Sequence, residues 1–599
     1  MDISIILFYI FLAFITIKAK QTYTPAGIMV LLWAALNCSL FIFFRDLVEF
    51  MSSGIFYIIL CVAVFMGGAI VGKKTTQQKD DNQLLHFNRK CIVPLLLLLI
   101  ALGCLYPLYR IYENGFSLTN LFKIDELNNM TREMYIKQYF NEKQDGNSKF
   151  AQVLLVFSYT APLFGGFCWP VSKTKITKVL CILTIIPCLL ITASQSTKMT
   201  LISALILWIS GFLTCSLSYN IKIRISIKTF FILVSVTILF ISAMFCSLLT
   251  RWNNDYDDYQ VEKNKTTFFV YTYGSLVCFD RWFEYSIQNY STALLQSSRL
   301  YKLGYFHNVE NGIRADFKRP THAPSMEIYG QFFQECNYNK HQDYTVSFDV
   351  TSDVKPDSAK YAIVSFNNRY ISHYPITIDN CEQTGPQTWR YSLTFNLDSS
   401  RNYVRTPDII LSYDSVTYVE ISNLRIDTGK VAQPWTEGEC NIFWHNANEH
   451  KYGIMTFFGI ANALGIEERI AGIYRDFIYF GRIDRTISSN VYTIFRMLID
   501  DFGKIGALIF LFLLGFASSK AIVFIKKRKM IFISQTILVA VYSYVMWGFV
   551  ASIWAYTSIL CTYGLAFIIF SILQKPLHGE TWVTIIAKKL KPKHKFLNK

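Results

Sequence analysis

Four arginines and four aspartates fall within about 27 residues near the C-terminal third of this chain, in IYRDFIYFGRIDRTISSNVYTIFRMLIDDFGKIG, Ile473 to Gly506. They are Arg475, Arg482, Arg485 and Arg496, beside Asp476, Asp484, Asp500 and Asp501. A guanidinium fork matches phosphate oxygens bidentately. Charges kept at a membrane surface are costly unless they serve something. Two further patches carry similar chemistry. Asp280 and Arg281 sit in the aromatic stretch Thr266–Glu284, and Lys198 lies among small hydroxyl residues in ITASQSTKMTL, Ile191 to Leu201. Together they point to an anionic, lipid-linked substrate. Single residues also have blander readings. Asp500 and Asp501 suit the N-terminus of a following helix. Arg475 suits a pair with Asp476 or a snorkelling position.

The elements that must position these residues are membrane spans. Of 599 residues, 52% are hydrophobic and 17% charged, too apolar for an ordinary soluble protein. The apolar residues cluster in runs near the length that crosses a hydrocarbon core of about 30 Å. Eleven spans are expected: Ile5–Ile17, Ala26–Phe44, Gly54–Val71, Cys91–Leu108, Phe150–Trp169, Val179–Ala193, Met199–Ser216, Phe230–Leu249, Gly503–Phe524, Ile531–Val550 and Ile553–Leu573. In lipid they must be helices, because backbone amides have no other partners there.

Basic clusters at Lys73/Lys74/Lys79, Lys173/Lys175/Lys178, Lys222/Arg224/Lys228, Lys526–Lys529 and the tail Lys588–Lys599 mark every second loop as cytoplasmic. This places the N-terminus and the long loop outside and the C-terminus in the cytoplasm. The net charge of +16 is explained by that topology and not by nucleic-acid binding. The first span lacks a basic lead and a cleavage site, so no cleaved signal peptide is expected. Most of the 14 cysteines lie in spans, as small apolar residues do. Of those in the long loop, Cys336 and Cys381 are free to pair in an oxidising compartment, with connectivity open.

The long loop, Arg251 to about Phe495, changes character between residues 291 and 440. Tyr344–Val350, Tyr361–Phe366, Trp389–Phe395, Ile409–Tyr413 and Val416–Ile421 alternate apolar and polar residues, with turns such as Lys355-Pro356-Asp357-Ser358 between them. Short alternating strands at this spacing predict an all-β sandwich. The chain therefore divides into a membrane core, 1–290, an inserted extracytoplasmic sandwich, 291–440, and the rest of the core, 441–599. The stretch YVEISNLRIDTGKVAQPWTEG, Tyr418 to Gly438, resembles the last strands of jelly-roll carbohydrate-binding modules, and Ala293–Phe306 resembles their first strand. Tyr329, Phe332, Tyr370, Tyr374 and Trp435 are aromatic side chains suited to stacking on sugar rings, or to a hairpin core.

Outside the insert, Gly274–Phe283, Lys451–Gly465 (KYGIMTFFGIANALG) and Asn490–Gly506 resemble the recurring patterns of the Wzy-type O-antigen and capsule repeat-unit polymerases. In the turn SQSTKM, Lys198 stands where that family commonly carries arginine. The resemblance implies a glycosyltransferase of the bacterial cytoplasmic membrane. Such an enzyme moves a growing glycan from undecaprenyl pyrophosphate to the sugar of a new lipid-linked repeat unit. It implies no nucleotide sugar, cofactor or metal. It implies partners in the lipid-linked donor and acceptor, the bilayer, and a chain-length regulator and flippase. On that reading Lys198, Arg281, Arg482, Arg485 and Arg496 hold the departing pyrophosphate, and Asp280, Asp484 or His450 deprotonates the acceptor.

Two other readings stay open: a ligase moving finished glycan to a lipid or protein acceptor, and a polysaccharide transporter. Transporters commonly show repeated halves and charges within helices, and neither pattern is visible here. HNANEH, His445 to His450, matches no zinc signature. No G-x-x-x-x-G-K-[ST] loop is present.

Overall fold

The computed structural model describes residues 2–19, 21–45, 48, 52–74, 86–123, 126, 129–131, 133–134, 149–195, 197–221, 269–270, 272–283, 294–297, 304–309, 312–331, 343–354, 362–366, 375–377, 380–396, 407–434, 450–466, 478–479, 488–489 and 491–575. Most of these are helical. Among the described residues, seven helices are long and apolar enough to cross a membrane: Pro25–Phe43, Ser53–Lys73, Arg89–Glu113, Phe150–Cys168, Lys175–Gln195, Met199–Ser218 and Ile494–Lys526. Ser4–Lys18, Ile531–Trp547 and Thr557–Leu573 are shorter apolar helices. The chain is thus a multi-pass membrane protein with a separate sheet region. Ten of the expected spans fall on helices, and 230–249 lies outside the described residues.

Local sequence sets the helix ends. Helix Pro25–Phe43 starts where the Thr24 hydroxyl accepts from the Gly27 amide, with proline at the first helical position. The sixth expected span, Val179–Ala193, falls on the apolar helix Lys175–Gln195, which is interrupted for one short turn between Lys175–Leu183 and Ile186–Gln195. Pro187 has no amide to give the carbonyl four residues back. Thr184 Oγ1 instead bonds the Cys181 carbonyl at 2.7 Å, and Ile185 N makes a tighter bond to Ile182 at 3.0 Å.

The helix Ser53–Lys74 (α3 in chain order) runs along Ile494–Lys526 (α11) at unusually close range. A Cβ on Gly68 would sit 2.0 Å from the Phe512 carbonyl oxygen, and one on Gly72 would sit 2.7 Å from that of Phe516. From the other side, a Cβ on Gly515 would meet the Phe65 carbonyl at 2.1 Å. Gly68 and Gly72 form a small-xxx-small stripe that lets two backbones touch in lipid. α11 is not one rod. It breaks at Gly503, whose φ of 71° and ψ of 173° suit only glycine. The helix expected to begin at Gly503 therefore extends back to Ile494 across that break.

The sheet region is antiparallel throughout, in the order β2-β4-β10-β5-β9-β8, with β3 added on β4, β6 on β10 and β7 on β6. Here β2 is Leu294–Ser297, β3 Gly304–Val309, β4 Gly312–Gln331, β5 Asp343–Ser352, β6 Ala362–Phe366, β7 Pro375–Thr377, β8 Asn380–Gly385, β9 Thr388–Asn396 and β10 Pro407–Thr428. The two strands expected at 409–413 and 416–421 are one strand. Register shifts between Leu411 and Tyr418 bend it without ending it. Its first part pairs with β6 and its last part with β5. On β5, Tyr344, Val346, Phe348 and Val350 are buried, with Phe348 stacked on Tyr391 at 5.6 Å. The neighbouring Asp349 takes hydrogen bonds from Arg390 and Asn423. Cys381 is a free thiol, and Cys336 lies outside the described residues.

The glycine contact makes a sharp prediction. Leucine at Gly68 should force α3 and α11 apart and cost about 3 kcal/mol or more, read as loss of monodisperse protein after detergent extraction. Leucine at Gly67, where a Cβ meets nothing within 4 Å, should extract normally.

Candidate functional site

Three stretches that carry chemistry in the sequence come together at one end of the helical core. The first is helix 272–283 (α9). Asp280 is fully buried, and its carboxylate accepts from the Ser52 amide at 2.9 Å and the Ile55 amide at 3.1 Å. It therefore caps the N-terminus of α3 from a helix more than 200 residues away, satisfying amides that no turn of α3 can reach. A Cβ on Gly54 would sit 2.5 Å from the Asp280 Cα, so glycine is what lets the cap approach. Held on two backbone amides, the Asp280 carboxylate ties α9 to the start of α3.

Arg281 follows on the same helix and is 6% exposed. Trp282 and Phe279 carry α9 onto α11. Phe279 packs on Phe495 at 6.0 Å, and the Trp282 ring faces the Arg496 guanidinium at 4.9 Å. Arg496 also lies 3.9 Å from the Tyr492 ring centroid. Its Nε is 3.7 Å from Asp500, one turn on. This arginine is buried, at 4% exposure, between two aromatic faces and beside one carboxylate. Aromatic faces stabilise a desolvated cation without neutralising it.

The second stretch is the start of α11 itself, which carries Arg496 and Asp500, and the third, 450–457, folds against the break in α11. The break at Gly503 frees the carbonyls of Asp500 and Asp501. They accept from the amides of Lys451 at 2.9 Å and Tyr452 at 3.0 Å. The Asp501 side chain completes the clip. Oδ1 accepts from the Met455 amide at 2.9 Å, and Oδ2 from the Thr456 amide at 2.7 Å and the Thr456 hydroxyl at 2.6 Å. Asp501 thus serves segment 453–456 and not a following helix. Just past the break, the Lys504 ammonium lies 5.0 Å from the Phe283 ring, and the Tyr57 hydroxyl donates to the Lys504 carbonyl at 2.6 Å.

His450 sits at the mouth of this arrangement. A Cβ on Gly503 would fall 2.8 Å from its Cε1, so the glycine both turns the chain and admits the imidazole. A shallow open groove of about 360 Å³ lies there, beside His450, Tyr452 and Asp501 and bordered by Phe502 and Phe510 and by the exposed Ile509 and Leu513. With Asp501 held in the clip, His450 is the remaining ionisable side chain beside that groove apart from Tyr452.

Arg281, Arg496, Asp280 and His450 are therefore brought onto packed elements. Lys198 is the first residue of helix Lys198–Ser218, where the helix dipole disfavours a cation. Arg482, Asp484 and Arg485 lie outside the described residues. The pairs on either side of them, Ile478–Tyr479 and Ser488–Ser489, join antiparallel, and the Ser489 carbonyl accepts from the Cys278 thiol of α9 at 3.1 Å. Among the described residues, no three His, Cys, Asp or Glu side chains come together to hold a metal. In the insert, Tyr329 stands opposite Asp408 in the sheet, while Phe332, Tyr370, Tyr374 and Trp435 lie outside the described residues.

Sequence reasoning passed over Thr456, Trp282 and Tyr492, and read Asp501 only as suited to the start of a following helix. The one signal available was Asp-Asp-Phe-Gly, a glycine that stops a helix directly after two carboxylates. No protein-family model and no curated protein matches this chain.

Replacing Asp501 by alanine strands two buried amides and a hydroxyl, and should cost about 2–4 kcal/mol. Thr456→Val removes only one of the three bonds and should cost about 1 kcal/mol. Thermal melts of the purified protein in detergent test the order. Equal losses would contradict the clip.

Proposed function

We propose that this chain is an integral-membrane glycosyltransferase that polymerises polyprenyl-pyrophosphate-linked oligosaccharide repeat units into surface polysaccharide. It acts at the outer face of the bacterial cytoplasmic membrane, with eleven spans and the insert facing outside. The observation that carries this reading is that two arginines, Arg281 and Arg496, are each buried on helices packed through Trp282 at one end of an apolar bundle. Desolvated cations at a membrane surface suit a substrate that is both lipid and diphosphate. The broken helix beside them adds irregular backbone whose freed carbonyls are taken up by the amides of Lys451 and Tyr452, the kind of protein cover under which a membrane protein tolerates it.

The chemistry is a single displacement. The bond from the anomeric carbon to the diphosphate oxygen breaks, and the electron pair leaves with the polyprenyl diphosphate. The acceptor hydroxyl oxygen bonds to that carbon, and its proton passes to a base. Arg281 and Arg496, with Lys198, Arg482 and Arg485, stabilise the charge that grows on the leaving group. His450 takes the proton. The insert is a β-sandwich that faces glycan. Its long strand Pro407–Thr428 pairs β6 and then β5 across its register shifts, the way a strand turns a corner between two layers.

Deletion of the gene, followed by sizing of surface glycan, tests the reading. A polymerase leaves single repeat units behind. Long unattached chains would indicate a ligase, and units trapped inside would indicate a transporter. Alanine at Arg281 or Arg496 should cost about 2–4 kcal/mol of transition-state stabilisation, or roughly 30- to 1000-fold in rate. The protein level in the membrane should stay normal. Arg496→Lys should recover only part of the loss, because the planar fork and its stacking are gone. For orientation, a cysteine introduced by Ser358→Cys should label with an impermeant thiol reagent in intact cells; labelling only after lysis would reverse the topology.

A further inference from the structure

The far end of α11 from Arg496 carries the basic run Lys526-Lys527-Arg528-Lys529. It is a strained turn. Arg528 has φ of 56° and Met530 φ of 46°, both left-handed without being glycine. Facing it, helix Lys198–Ser218 (α8) ends at Tyr219 and Asn220, the latter at φ of 52°. The two ends are packed together: Ile525 belongs to a buried cluster with Leu213 of α8 and Leu538 and Tyr542 of the next helix, Ile531–Trp547.

The donors in this corner lack acceptors. Nε and Nη1 of Arg528 are buried without a hydrogen-bond partner, and so is the hydroxyl of Tyr219. Arg528 and Tyr219 lie within electrostatic range of one another. Ser216, one turn before Tyr219 on the same helix face, is 3% exposed, and its hydroxyl is likewise buried and unpartnered. Among the described residues no carboxylate pairs with Arg528. Stranded buried donors are costly, more so on a charged group. The corner is also rigid. The Tyr219 ring packs edge-on against Phe87 at 5.8 Å, and Phe87 pairs with Gln574 in a two-stranded sheet. Gln574 and Gln535 exchange amide hydrogen bonds at 3.0 and 3.1 Å, and Gln535 also donates to Ser218.

We infer that Arg528, Tyr219 and Ser216 form a binding site for one phosphate oxyanion at the basic end of the bundle. The buried Nε–H and Nη1–H of the guanidinium supply charge-assisted donors for phosphate oxygens. The hydroxyls supply neutral donors. Lys526, Lys527 and Lys529 raise the local concentration of anions. The phosphate is either an anionic lipid headgroup, which basic juxtamembrane segments attract, or a soluble phosphate. This site stands independently of the glycosyltransferase reading.

The test uses the full-length protein purified in nonionic detergent. Its melting temperature is followed with added phosphatidylglycerol, with phosphatidylcholine, and with inorganic phosphate against chloride at equal ionic strength. Binding to the folded state should raise the midpoint by about 2 °C or more. The rise should vanish in Arg528→Gln and shrink in Tyr219→Phe, while Lys526→Gln with Lys529→Gln keeps most of it. A rise with phosphatidylglycerol alone supports the site and names a headgroup. A rise with inorganic phosphate supports it and names a soluble anion. Because each variant is compared with its own ligand-free melt, a lower starting stability does not obscure the result. Absence of any rise, an equal rise with phosphatidylcholine, an undiminished rise in Arg528→Gln, or loss in the double lysine variant alone would overturn it.

Discussion

Backbone amides inside an apolar bundle have nowhere to turn for water, and two buried carboxylates answer that constraint here. Asp280 takes the first amides of α3, and Asp501 takes those of segment 453–456. Each joins elements far apart in sequence. Without them, the start of α3 and the break in α11 would leave unsatisfied donors in a low-dielectric interior, at a cost of about 1–3 kcal/mol each. The carboxylates therefore decide which helices meet. They also decide where the arginines stand, since Arg281 adjoins Asp280 in sequence and Arg496 lies one turn and a residue before Asp501.

The same arrangement explains how cations are kept at this depth. Arg496 sits between Tyr492 and Trp282 and beside Asp500, so its charge is supported on several sides. Aromatic faces support a cation without setting an opposite charge against it. The glycine contacts between α3 and α11 then fix the frame, because backbone oxygens in contact leave no room for sliding. Function on this account comes from a rigid floor carrying a small number of strained or desolvated groups.

Much of the helical frame was legible in the sequence, for a simple reason. Hydropathy over 20 residues reports helices in lipid, and Thr24-Pro25 marks a helix start outright. Breaks were harder to read. Pro187 split the sixth span where the hydrophobic run continued unbroken, and Gly503 sat inside a helix that periodicity began at the glycine. In the sheet, the polar Asp414-Ser415 looked like a turn but is absorbed by shifts within one strand. The deepest gap concerned partners. Nothing near Asp280 in sequence reveals that it caps Ser52 and Ile55, since a long-range cap leaves no local periodicity. Asp501 was read as local to its own helix for the same reason. Arginines, by contrast, announced themselves by type, because charge in an apolar context is informative before any contact is known.

The central claim is that these elements hold a diphosphate leaving group during glycan transfer. The most direct measurement mixes the purified protein with a polyprenyl-pyrophosphate-linked repeat unit in detergent or nanodiscs. It then follows released polyprenyl pyrophosphate and glycan length together by mass spectrometry. The account predicts one polyprenyl pyrophosphate released for each repeat unit added, with both signals lost in Arg496→Ala. Unchanged substrate, or release of the lipid without any lengthening of the glycan, would contradict it.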